Sequence, residues 1–299
     1  MNVIRPITVT DAMLTSSNVP ETDYTAWNAA TNYSVGDYCI RTTATTHKVY
    51  KCLVAGVNAT APESNTTKWL DYSPTNRWAC FDQRTGTQTS QADSITYTIV
   101  PGAAISSIAF INLYAASVRI VLTDPVDGVV YDTTTSATVG SLVGDWDSYF
   151  FDSVTRKTDV VVQSIPSYPA ATVDITVTHT GSTAKVGVVA LGRSIELGGA
   201  QYGASFGITD YSVKAADAFG GYTITQRAFA KRASFNLKVE KTIVDSVAAL
   251  LAELRSTPSV WVGHVDYQGT IIYGFYKDFD IVISYPTWND CRLEIEGLT

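Results

Sequence analysis

The side chains equipped for chemistry in this 299-residue chain are few and scattered. His47, His179 and His264 each lie in a strand-like stretch, and none has a nucleophile or paired acid at motif spacing. A lone histidine of that kind reads as hydrogen-bonded framework. Cys39, Cys52, Cys80 and Cys291 form no CxxC pair, so their spacing does not point to zinc. Cys39 and Cys52 flank a hairpin pattern, where they could face each other, and read as reduced thiols of a small core. Asp145 and Asp147 surround Trp146. Paired acids could suggest a glycosidase, whose chemistry depends on the distance between its two carboxylates, a quantity the spacing does not give. The simpler reading is a loop at a strand end, with Trp146 and Phe150 covering the core. No GxSxG, HExxH, P-loop or EF-hand pattern occurs. The chain therefore reads as non-enzymatic, with no metal and no cofactor.

The aromatic residues form a denser pattern. "AWNAATNYSVGDYCI" carries Trp27, Tyr33 and Tyr38, and Tyr50 and Trp69 follow. An aromatic ring can stack on a sugar or fill a core. A unit of about 50 residues has little interior, so several of its rings must be structural. Trp27, Tyr33, Tyr50 and Trp69 are assigned to that core, and Gly36-Asp37 to a turn. Tyr38, with Trp27 and Trp69, makes the candidate glycan-contact set. Trp78 reads as packing at a domain junction. Further on, Tyr202, Tyr211, Arg227 and Arg232 form a candidate assembly surface, where Arg227, Lys231 and Arg232 could meet acids of a neighbour.

The elements that must hold these residues are mostly strands. Hydrophobic residues make up 45% of the chain and charged residues 16%, enough for sizeable cores and against disorder. The net charge of −7 does not suit a nucleic-acid binder. The N-terminus lacks a signal-type apolar region, and no run is long enough to span a membrane, so no membrane insertion is expected. Residues 1–20 read as a lead-in strand or arm, and 21–73 as a small β module. Residues 74–197 read as a jelly-roll β-sandwich, from seven or more short β-branched segments between turn signals. Residues 198–299 read as an α+β domain with one main helix over 242–258. Ile243, Val247, Leu250, Leu251 and Leu254 share one face of it, Thr242 is the expected N-cap, and Pro258 follows the end. The fold class is mainly β.

Two resemblances add to this. Trp27, Tyr33, Gly36, Asp37, Tyr50, Pro62 and Trp69 follow the order and spacing of the family 5/12 chitin- and cellulose-binding modules, which the segment 26–71 resembles. Members that bind sugar place adjacent aromatics just after the second tyrosine of the motif. This chain has "CLVAG" at 52–56 there, so the usual platform is missing. Over its full length the chain also resembles a family of tailed-bacteriophage virion proteins that carry such a module. "PTNRWACFDQRTGTQT", "YGASFGITDYSVKAADAFGGYTITQRAFAKR" and "IIYGFYKDFDIVISYPTWNDCRLEIEGL" carry that likeness. It implies a structural part of a tail tip, baseplate or fibre-attachment region, made in the host cytoplasm and found in the virion. Its expected partners are other phage tail proteins and copies of itself related by three- or six-fold symmetry; the alternative is a glycan-binding adhesin that contacts a host surface polysaccharide through residues 21–73 or the rim of the sandwich.

Overall fold

A computed structural model describes residues 1–43, 45–138, 156–216 and 219–298. The candidate acid pair Asp145 and Asp147, with Trp146 and Phe150, lies outside the described residues.

The chain opens with strands β1 (Asn2–Pro6) and β2 (Leu14–Ser17). The small module follows, with β3 (Asn32–Tyr33), β4 (Tyr38–Thr43), β5 (Thr46–Cys52), β6 (Gly56–Val57) and β7 (Trp69–Pro74). Its main sheet runs β4-β5-β7, all antiparallel, and β3 pairs with β6. Side chains alternate across a strand, so Cys39, Tyr50, Cys52 and Trp69 point inward together. They form the module core with Tyr33, and Trp27 packs against its edge.

Next come β8 (Thr89–Ile99), β9 (Ser107–Ile111), β10 (Ser117–Asp124), β11 (Gly128–Ser136), β12 (Val160–Val162), β13 (Thr172–Val186) and β14 (Val188–Glu196). One sheet runs β11-β10-β13-β8-β2, and β12-β9-β14 lies opposite it. Ile95, Tyr97, Val118, Ile120, Val173 and Ile175 meet Ile108, Phe110, Val189 and Leu191 in the shared core. This is the jelly-roll sandwich that the alternating β-branched segments predict.

The last unit holds β15 (Gly199–Ala200), β16 (Ser205–Asp210), β17 (Val213–Ala216), β18 (Tyr222–Thr225) and β19 (Phe229–Glu240). Helix α1 (Val244–Glu253) follows, then β20 (Ser259–Val262), β21 (Ile271–Val282) and β22 (Trp288–Gly297). The helix is shorter than its sequence pattern. It ends in a 3₁₀ turn over Leu254–Ser256, ahead of Pro258. Its N-cap is Ile243 without a side-chain cap, not Thr242, because residues 241–243 still form a turn. Val247, Leu251 and Leu254 are buried against Phe235, Leu237, Trp261 and Leu293.

Strand β1 is a central strand, pairing with β14 on one side and β20 on the other. The sheet is thus continuous from the sandwich into the last unit, in the order β12-β9-β14-β1-β20-β21-β22-β19-β15. It curls about β1, so that Ile4, Ala109, Val188 and Ala190 share a cluster with Val260, Val262, Ile271 and Tyr273. The close approach requires Gly192, where a Cβ would sit 1.9 Å from the Arg5 carbonyl oxygen.

Candidate functional site

The module's outer face carries the most distinctive cluster. Tyr38 lies opposite Lys51, and Lys51 lies opposite Leu70. Tyr72 falls at a β-bulge between the Tyr50–Asp71 and Val49–Ser73 pairs, and its ring contact with Tyr38 puts it on the same face. The irregular segment before Trp27 runs alongside β4, with the Ile40 N–H donating to the Thr25 carbonyl at 3.0 Å. That path brings Tyr24 onto the sheet. Tyr24 stacks on Tyr38 with ring centroids 5.0 Å apart and planes 20° from parallel. Tyr72 meets Tyr38 edge-on at 5.1 Å. The Lys51 ammonium lies 5.6 Å from the centre of the Tyr38 ring.

Tyr24 and Tyr72 keep 43% and 51% of their surface open, while Tyr38 is half-buried between them. Leu53, Val54 and Leu70 are also exposed. The surface offers apolar ring faces, three phenol hydroxyls and one ammonium. That mixture suits a hydroxyl-rich ligand with apolar C–H faces, such as a sugar chain.

The sequence-derived candidates divide. Tyr38 is in the cluster. Trp69 is not a contact residue: it is 1% exposed and takes the edge of Tyr33 at 4.9 Å. Trp27 is half-buried, with the Arg41 guanidinium 4.9 Å over its ring, so that face is covered. Arg41 is held there by a two-pronged pair to Glu63, at 2.7 and 3.2 Å. The same pairing holds the Glu63 carboxyl below its ordinary range. Tyr33 and Tyr50 are buried, and burial pushes the Tyr50 phenol up to about 12. Cys39 faces Tyr50 across the hairpin, not Cys52, and both cysteines are buried free thiols. Desolvation raises the Cys39 thiol to about 12.

Sequence reasoning missed Tyr24 and Tyr72. Alternation from buried Trp69 along "WLDYS" puts Tyr72 outside, a signal present in the sequence. Tyr24 sits in an irregular stretch without periodicity.

The module is clamped to the sandwich by a polar junction. His47 places Nδ1 2.9 Å from Glu21 Oε1 and Nε2 3.0 Å from Asp11 Oδ1. The Thr75 hydroxyl and Arg77 also donate to Glu21, at 2.7 and 3.3 Å. Trp78 stacks on His47 at 4.5 Å, a junction residue as its position implies. His179 contacts Arg156 and the Tyr114 ring, and His264 lies beside Asp266. Among the described residues, no three His, Cys, Asp or Glu side chains gather as metal ligands.

The assembly candidates lie on the last unit. Tyr202 is fully exposed, and Tyr211 donates its hydroxyl to Glu296 at 3.2 Å. Arg227 and Arg232 are exposed. Lys231 departs from expectation: it pairs with buried Asp159 of the same chain and ties this unit to the sandwich. Around them, Phe206, Ile208, Tyr222, Ile224 and Phe229 are open to solvent, and every described residue of the β17–β18 hairpin is exposed.

No protein-family model matches the chain, and no curated protein matches it. Among solved structures, it is similar to chitosan-binding module 1 from a chitosanase/glucanase of Paenibacillus sp. IK-5. The two share 13% identity over 38% of this chain and 83% of that one, with a TM-score of 0.25. The lectin domain of lectinolysin, complexed with Lewis B antigen, shares 14% identity over 40% of this chain and 84% of its own, with a TM-score of 0.27. A chain from the structure of reduced XRCC1 bound to the DNA polymerase β catalytic domain shares 13% identity over 64% of this chain and 98% of its own, again at 0.27. At scores this low the likenesses decide nothing about site or function.

Proposed function

We propose that this chain is a non-enzymatic glycan-contacting protein whose small module holds a sugar chain against the exposed rings of Tyr24 and Tyr72, with Tyr38 between them setting their positions. The carrying observation is the exposed stacked and edge-on tyrosine cluster on a sheet whose other rings are spent on the core. It replaces the platform that "CLVAG" lacks, from different positions. The test is retention of the full chain on insoluble polysaccharide and on host envelope polysaccharide. Tyr72→Ala should weaken retention at least tenfold while the melting temperature stays put. Saturable binding unaffected by Tyr72→Ala and Tyr24→Ala would move the site elsewhere.

A second reading is compatible with the first: the chain is a structural component of a bacteriophage tail, with the module projecting from it. The exposed apolar hairpin favours it: the described residues of its two strands are all exposed, a two-stranded hairpin is marginal in water by itself, and a covering neighbour would add stability. Mass spectrometry of gradient-purified virions tests this reading. A copy number in multiples of three or six supports it, and absence from the particle removes it.

A further inference from the structure

The charge around the tyrosine cluster is uneven in a way that selects among glycans. Several charged side chains near it are already engaged, although Lys68, whose backbone pairs with Leu53, forms no ion pair among the described residues. Asp71 pairs with Lys48, and Glu63 with Arg41. Asp23 accepts the Asn76 N–H at 3.1 Å, and Glu21 is occupied by His47, Thr75 and Arg77. Lys51 is different. It stands at the centre of the outer face, between Tyr38 and Leu70 in register. Its ammonium rests beside the Tyr38 ring and forms none of the ion pairs found among the described residues.

We infer that the cluster takes an anionic glycan, with Lys51 receiving a sugar carboxylate while the tyrosine rings take the C–H faces of the residues beside it. This rests on the glycan reading given above and narrows it. A chain of net charge −7 repels acidic polysaccharides over most of its surface. An uncommitted ammonium at the stacking surface supplies local attraction and gives direction to the bound chain. An ammonium–carboxylate contact is a charge-assisted hydrogen bond, stronger than the hydroxyl contacts that a neutral sugar would make there.

A matched pair of ligands isolates the charge. Oligogalacturonate and its methyl ester share rings and linkages and differ in the carboxylate. Titration calorimetry on the full chain should show oligogalacturonate binding more tightly than the ester, by about threefold to fivefold, the factor that one exposed ion pair supplies. Lys51→Gln should abolish that preference, so that acid and ester bind equally, and raising salt should erode the preference of the wild type. Tyr72→Ala should weaken both ligands alike. Equal binding of acid and ester by the wild type, or a preference that survives Lys51→Gln, overturns the charge assignment and leaves the glycan reading standing. Failure to bind either ligand, or any glycan of an array containing neutral and acidic chains, overturns both.

Discussion

Trp69 and Tyr72 stand three residues apart on one strand and have opposite duties. Trp69 is enclosed with Tyr33, Tyr50 and two thiols, so Trp69→Ala should cost about 3–5 kcal/mol and melt the module. Tyr72→Ala should stay within about 0.5 kcal/mol of wild type, because its ring is half in solvent. Thermal denaturation of the two variants distinguishes core from surface. The titrating groups add two pH limits. Cys39 and Tyr50 have folded-state values raised to about 12 by burial. The stability they contribute is full below the ordinary thiol and phenol values and is lost as pH rises toward 12. Glu63 is shifted the other way, so its contribution is present above the ordinary carboxyl value and is lost in acid. Melting temperature against pH should therefore fall on both sides of a neutral plateau. Glu63→Gln should make the acid side less steep without removing it, because Asp132 and Asp210 are lowered as well.

Strand alternation made much of the element scale legible in the sequence. The β10 segment appears where the pattern "SVRIVLTD" puts it, and β13 extends the pattern "TVDITVTHT". The apolar face of α1 was equally plain, although its start was not: nothing in "EKTIVDS" marks Ile243 over Thr242 as the cap. Part of the candidate site was hidden for a different reason. Tyr24 reaches the cluster through a backbone bond from β4 to Thr25, and such a contact leaves no periodicity. Lys231 was misread because its partner, Asp159, lies 72 residues away. Every described residue of the β17–β18 hairpin is exposed. Replacing Tyr222 and Ile224 with serine should leave the stability within about 0.5 kcal/mol of wild type. Sedimentation velocity should show reduced self-association in the same variant if the hairpin is an assembly arm.

At the scale of the whole molecule, β1 joins sandwich and C-terminal unit into one sheet, and the Asp159–Lys231 pair ties them a second time. The small module keeps its own core and is held by the His47–Glu21–Asp11 junction. Removing residues 1–6 should unfold the sandwich and last unit together, since it bares the edges of β14 and β20 and deletes Val3 and Ile4 from two cores. This arrangement carries the tyrosine face on a module with its own core, distinct from the units that could build an assembly. The most direct test of the account is to see where an oligosaccharide sits on the full chain. Spectra of protein carrying ¹³C-labelled tyrosine rings, recorded during titration with oligogalacturonate, read each ring separately. Saturable shifts are expected at Tyr24, Tyr38 and Tyr72, with unmoved signals at Tyr202, Tyr222 and Tyr267. Shifts confined to those other rings, or no shift at any tyrosine under saturating ligand, would contradict the account.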